Sequence, residues 1–409
     1  MSSIKPYKIN VPQSKIDRLH KKLELYDLPD ELETAEWEYG APLADIKKLA
    51  EYWKDKYDWR KAEAQLNEMP QFTTDIDVAN FGTFNIHFVH RQSTVKNAIP
   101  LIFLHGWPGS FIEVTKILPQ LVNGPSDFPS FHIVAPSLVD YGFSSGCSKK
   151  GFSIDQHAEY CHKLMQSLGY TKYVAQGGDL GSFVCRLLAS KYPDSCVAMH
   201  TNFALPREPS ATEFPALAAR AKITPLTDAE KAGLARTEWY NKVANAYMLQ
   251  HSTKPQTIGY SMVDSPVGLL AWIYEKLHDW TDNYQWSNDE ILTWISIYSF
   301  STAGPHATQR IYYAFSHGDE INGERPAVDR IRDFTPKVKI GISRCPKELL
   351  LLPKLWNQTL GNIVFEGNHD SGGHFMATEK PDALVRDLRI MFGKGGGAEG
   401  VVEGKGGYD

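Results

Sequence analysis

Cysteine is scarce in this chain, with five in 409 residues: Cys147, Cys161, Cys185, Cys196 and Cys345. The number is odd and no Cys-x-x-Cys spacing occurs, which argues against a disulfide framework and a thiolate zinc site and favours a reducing compartment. Long apolar runs are missing as well. Residues 1–15 lack the apolar core of a signal peptide, and no uninterrupted stretch approaches the roughly 18 residues of a membrane span. Nor is there a basic cluster: the formal charge is −5, whereas a duplex-binding surface concentrates Lys and Arg on one face. These absences set the expectation of a cytoplasmic protein that binds neither membrane nor nucleic acid.

What is present is the balance of a globular protein, 42% hydrophobic and 22% charged. At about twice the usual domain length, the chain is either one large domain with additions or two domains. Residues 1–97 read as an N-terminal extension. There Ser14 precedes Ile16, Leu19 and Leu23 in a capped amphipathic helix pattern, and Ile46, Leu49, Ala50 and Trp53 repeat that spacing after Pro42. Alternation at Ile76, Val78, Phe84, Ile86 and Phe88 about Asn80-Phe81-Gly82 predicts a strand pair. From 98 to 205, short apolar runs at 101–104, 131–135, 173–175 and 196–199 are separated by helix-length segments. Two further runs, 338–342 and 362–365, fall within 327–392. Strands alternating with helices imply an α/β fold, its mostly parallel sheet covered on both faces. Residues 206–326 lose the strand signal and read as a helical insertion, a lid. The Gly-rich residues 393–409 are expected to form a disordered tail.

Chemistry concentrates in three places. Gln176-Gly177-Gly178-Asp179-Leu180-Gly181-Ser182 lies between an apolar run and a helical pattern. A strand turning sharply into a helix, with glycines two residues either side of a central residue, is the geometry of a nucleophile elbow, and here the central residue is Asp179. A carboxylate at that position attacks a saturated carbon and forms an ester, where a serine would acylate. Upstream, His105-Gly106-Trp107-Pro108-Gly109-Ser110 follows the first core strand, so the N–H groups of Trp107 and Leu180 are candidates for an oxyanion hole. Downstream, Gly372-Gly373-His374-Phe375 follows the last strand, and His374 is preferred over His369 as general base. Glu348, after the penultimate strand, is the expected acid that orients the imidazole; Asp370 shares the loop of the base and is poorly placed to do so.

With these segments assembled, the sequence resembles epoxide hydrolases of the α/β-hydrolase fold, most closely the branch containing microsomal epoxide hydrolase and its soluble fungal relatives. The match is carried by His-Gly-Trp-Pro-Gly-Ser at 105–110, Gly-Gly-Asp-Leu-Gly-Ser at 177–182, Cys-Pro-Lys-Glu at 345–348 and Gly-Gly-His-Phe at 372–375. The resemblance implies a triad of Asp179, Glu348 and His374, and two lid tyrosines that hydrogen-bond the epoxide oxygen. Ala246-Tyr247-Met248 matches the first and Gln309-Arg310-Ile311-Tyr312 the second, with Tyr313 as the rival of Tyr312. It also implies a cis Trp107–Pro108 bond, diol formation from a small hydrophobic epoxide and water without cofactor or metal, and a homodimer. The apolar anchor of the membrane-bound relatives is not found at the N-terminus, in keeping with the fungal members. Three other readings compete. A haloalkane dehalogenase commonly carries Trp where Leu180 stands, a serine esterase requires a hydroxyl where Asp179 stands, and a noncatalytic ligand receptor has no need of a complete triad.

Overall fold

In the computed structural model, which describes residues 3–318, 323 and 325–409, one sheet organises the molecule. Its strands are β1 (Lys5–Tyr7), β2 (Gln71–Val78), β3 (Gly82–Arg91), β4 (Ile99–Leu104), β5 (Phe131–Pro136), β6 (Tyr173–Gly177), β7 (Cys196–Thr201), β8 (Thr335–Arg344) and β9 (Gly361–Asn368). Their spatial order is β1-β2-β3-β5-β4-β6-β7-β8-β9. From β5 to β9 all neighbours are parallel, while β1, β2 and β3 add antiparallel pairings at one edge. The central strands are largely apolar. Every residue of β4 and β6 is buried, as a strand covered by helices on both faces requires.

Parallel pairing fixes the location of the chemistry. The loops after β4, β6, β8 and β9 all leave the same carboxyl edge of the sheet, the usual ligand-binding edge of α/β sheets. Over this edge lie helices inserted between β7 and β8: α7 (Pro215–Ile223), α8 (Asp228–Trp239), α9 (Ala246–Thr253), α10 (Pro255–Asp264), α11 (Pro266–Asp279), α12 (Asn288–Ser299) and α13 (Arg310–Ser316). The expected lid, 206–326, includes residues 319–322 and 324, which lie outside the described residues. The N-terminal segment wraps this assembly. Helices α1 (Gln13–Glu24), α2 (Leu43–Asp55) and α3 (Trp59–Leu66) pack their buried faces on α11 and α12, with Trp53 and Trp59 as the large anchors.

Three local expectations need correction. Ser14 is not an N-cap: α1 begins at Gln13 behind Pro12, and no side chain caps it. The short β1 and α3 carry too few periodic residues to stand out in the sequence. The tail 393–409 is not disordered. Ala398 and Val402 are buried, the Gly407 N–H donates to the Asn97 carbonyl at 2.7 Å, and the Ser130 N–H donates to the Gly407 carbonyl at 2.8 Å. Its glycines permit close approach rather than freedom: a Cβ at position 397 would sit 2.4 Å from the Val364 carbonyl oxygen. Deleting residues 394–409 is therefore expected to cost about 2 kcal/mol, the combined worth of one buried Val side chain and two hydrogen bonds less lost chain entropy. A lowered urea midpoint checks this, and an unchanged midpoint contradicts it.

Candidate active site

Asp179 opens helix α6 (Asp179–Lys191) directly after β6. Its φ is 48°, in the left-handed region that a non-glycine residue adopts only under constraint. The constraint is visible in its neighbours. A Cβ at Gly181 would meet the Leu104 carbonyl oxygen at 2.0 Å, and one at Gly177 would meet the Gly181 carbonyl carbon at 2.5 Å. Helix α6 can thus press against β4 only with glycine at these positions, and that contact projects Asp179 above the sheet edge.

The loop after β4 meets Asp179 from the opposite side. Trp107 N–H donates to Asp179 Oδ1 at 2.8 Å, and the Trp107–Pro108 peptide is cis. His105 anchors the loop: its Nδ1 is 3.1 Å from the Gly106 carbonyl, and its Nε2 accepts the Leu138 N–H at 3.1 Å. That tautomer is neutral, and burial pushes the His105 pKa down to about 4. Leu180, 1% exposed, places its N–H in the first turn of α6, where backbone donors lack intrahelical partners.

His374 reaches the same point from the loop after β9. Its Nε2 lies 3.3 Å from Asp179 Oδ2, and its Nδ1 lies 2.5 Å from Glu348 Oε1. Two backbone contacts align the loops: an isolated parallel bridge pairs Lys347 with Gly373, and His374 N–H donates to the Trp280 carbonyl at 2.7 Å. Leu349 N–H in turn donates to Glu348 Oε1 at 2.7 Å. Burial acts to lower the His374 pKa, but Glu348, and then Asp179, outweigh it and hold the ring's pKa well above the ordinary 6.5. The imidazole is therefore held toward its charged form between two carboxyl groups. His369 is occupied elsewhere, its Nε2 2.6 Å from Asp387 Oδ2.

Both tyrosines expected in the lid face this cluster. Tyr247 stacks on Trp107 (ring centroids 4.8 Å apart, planes at 15°), and Tyr312 meets Trp107 edge-on at 6.2 Å. Each is 4% exposed. Burial raises both phenols well above 10, with Tyr240 and Asp179 adding to the effect on Tyr247 and Asp179 to that on Tyr312, so both remain protonated donors. Tyr313 instead stacks on His317 at 4.2 Å, away from the cluster. The Tyr240 hydroxyl, 3.0 Å from that of Tyr247, and Trp280, whose ring lies 5.0 Å from that of His374, were not found by sequence reasoning. Among the described residues, no group of three His, Cys, Asp or Glu side chains is arranged to hold a metal, and no helix is long and apolar enough to cross a membrane.

A parallel sheet that carries an elbow carboxylate, a histidine and a distant acid at its carboxyl edge defines an α/β hydrolase, and the α/β hydrolase fold model matches residues 99–371. The model of the epoxide hydrolase N terminus matches residues 4–114. Epoxide hydrolase 1 of Sus scrofa is 33% identical over 96% of this chain and 89% of its own length. The Aspergillus niger epoxide hydrolase structure superposes with a TM-score of 0.81 at 35% identity, covering 94% of this chain and 95% of its own. The juvenile hormone epoxide hydrolase of Bombyx mori superposes at 0.84 with 28% identity, covering 95% and 93%. The chain belongs to the epoxide hydrolase family.

The bridged imidazolium has a measurable consequence. A histidine whose folded pKa is raised contributes stability that is complete below its unfolded value of 6.5 and is lost as pH rises through the folded value. In Asp179→Ala one of the two raising charges is gone, so the contribution should be smaller and its loss complete at a lower pH than in the wild type. Urea unfolding across pH 6 to 10 reads the difference, and superimposable pH profiles would contradict it.

Proposed function

We propose that the protein opens small hydrophobic epoxides to vicinal diols through an ester on Asp179. The observation that carries the proposal is an aspartate at the elbow, facing two buried, protonated phenols on one side and a carboxylate-bridged histidine on the other. In the first step an Asp179 oxygen forms a bond to one ring carbon. The C–O bond of the ring breaks, its electron pair goes to the epoxide oxygen, and a lid phenol protonates that oxygen while the other donates a hydrogen bond. Without such donors the leaving group would be an alkoxide, a poor one at neutral pH.

Esterification removes the negative charge of Asp179, one of the two charges that hold the proton on His374. The ring then gives its proton to the lid tyrosinate, which becomes a tyrosine again, and the neutral imidazole is a base in time for the second step. It takes a proton from water, whose oxygen attacks the ester carbonyl. The N–H groups of Trp107 and Leu180 stabilise the tetrahedral oxyanion; its collapse breaks the bond from the acyl carbon to the alkyl oxygen, and the proton of the added hydroxyl passes to that oxygen, releasing the diol and restoring the Asp179 carboxylate with one water oxygen retained. Glu348 keeps the ring oriented and offsets its charge when it is protonated again. Trp107, Trp280, Phe203 and Phe375, all buried beside these groups, suit an apolar substrate.

We further propose a cytoplasmic setting and a homodimer; a monomeric mass by light scattering would sink the latter. The five cysteines are free and buried, in accord with a reducing compartment. A single turnover of styrene oxide in ¹⁸O-water should label Asp179, and His374→Ala should accumulate the ester as a mass increase equal to one substrate. An unlabelled Asp179 would overturn the ester route. Chloride release from haloalkanes exceeding diol formation would favour a dehalogenase instead, although Leu180 stands where that chemistry commonly has Trp.

A further inference from the structure

The two lid phenols are not equivalently supported. Tyr312, buried, has no hydrogen-bond partner for its hydroxyl among the described residues. Tyr247 has one: the hydroxyl of Tyr240, itself 4% exposed, lies 3.0 Å away. Seven residues of straight α-helix would separate these two side chains by about 10 Å along the axis. They meet because the chain is not straight there. Helix α8 runs into a π-helical turn, Tyr240–Ala244, and Asn245 (φ −103°, ψ 6°) breaks the path before α9 begins. A π-turn gives up regular helix hydrogen bonding and occurs most often where a side chain must be re-aimed.

We propose that Tyr240 is a positioning residue that makes Tyr247, and not Tyr312, the phenol that transfers its proton to the opening epoxide. The inference rests on the ring-opening reading above. A hydroxyl carries one proton. If Tyr247 aims its proton at the substrate oxygen, its own oxygen must accept, so Tyr240 is the donor of the pair. As the ring C–O bond breaks, its electron pair moves to the epoxide oxygen, the Tyr247 proton follows it, and negative charge ends on the Tyr247 oxygen. The O–H of Tyr240 then becomes a charge-assisted hydrogen bond to a phenolate, stronger after proton transfer than before. Among the described residues no group hydrogen-bonds the Tyr312 hydroxyl to stabilise a phenolate, so it orients the oxygen without giving up its proton. Tyr240 does not act by supplying a charge, since burial raises its pKa and keeps it protonated; the 3.0 Å contact allows either hydroxyl to donate, so Tyr240 can donate when Tyr247 turns its proton to the substrate.

The test is pre-steady-state. With styrene oxide in single turnover, Tyr240→Phe, which keeps the ring and removes only the hydroxyl, should slow ester formation about tenfold or more. Hydrolysis of the preformed ester should stay at the wild-type rate, a split that a merely loosened lid would not produce. The loss should vanish when Tyr240→Phe is added to Tyr247→Phe and persist in full when it is added to Tyr312→Phe. Wild-type ester formation in Tyr240→Phe, or an equal loss in both backgrounds, would overturn the inference. If Tyr247→Phe alone leaves ester formation unchanged, the role of Tyr247 as donor falls, and Tyr240 with it.

Discussion

Two carboxylates share one buried imidazole, and the architecture can be read as the means of bringing them there. Asp179, Glu348 and His374 come from the ends of β6, β8 and β9, so their meeting requires parallel strands with all three loops at one edge. The charge distribution follows. A buried histidine on its own prefers to be neutral, and His87, His105 and His200 behave that way, their pKa values lowered chiefly by burial. His374 departs from them because two anions face it within 3.3 Å. Removing either anion shifts the proton. On the proposed route, ester formation on Asp179 removes one during each turnover, so the geometry of the resting state would already contain the timing of the base.

The same economy applies above the sheet. Phenols buried among Trp107, Trp280 and each other cannot ionise at neutral pH, so burial, which costs a polar group free energy, keeps them in the donor form that ring opening needs. The N-terminal helices matter here by an indirect route. By packing on α11 and α12 they hold the lid against the core, and the lid side chains Trp294 and Tyr298 hydrogen-bond the carbonyls of Pro108 and Gly109 in the loop that carries Trp107. The N-terminal wrapping, the inserted helices and the loop that carries Trp107 form one mechanical unit.

Much of this was legible in the sequence, for a physical reason. The elbow around Asp179, the loop 105–110 and the loop 372–375 are local: their glycines are required by close approach within a few residues of the reacting group, so their spacing survives as a motif. Glu348 and His374 could be paired because strand order constrains where an acid and a base can emerge. The Tyr240–Tyr247 contact was not legible, since it depends on a π-turn that no periodicity reveals. The tail was misread because glycine enriches both disordered chain and chain pressed against a surface. Gly397 and Gly407 belong to the second kind, and only packing distinguishes the two.

Trp107 ties the core to the lid. Its backbone N–H serves Asp179 at 2.8 Å, while its ring supports Tyr247 by stacking and Tyr312 and His251 by edge contacts. On the proposed ester route the N–H that bonds the resting carboxylate also serves the later oxyanion, because both charges develop on the same carboxyl group. A displacement of the ring would therefore disturb the phenols, and a displacement of the loop would disturb the nucleophile. The constraint runs in both directions: the phenols pack against the residue that fixes Asp179, so the proposed donor for the leaving oxygen and the proposed attacking carboxylate are registered to one another through a single side chain and its own amide. Registration of this kind is what in-line ring opening demands, since attack and departure occur on opposite sides of one carbon.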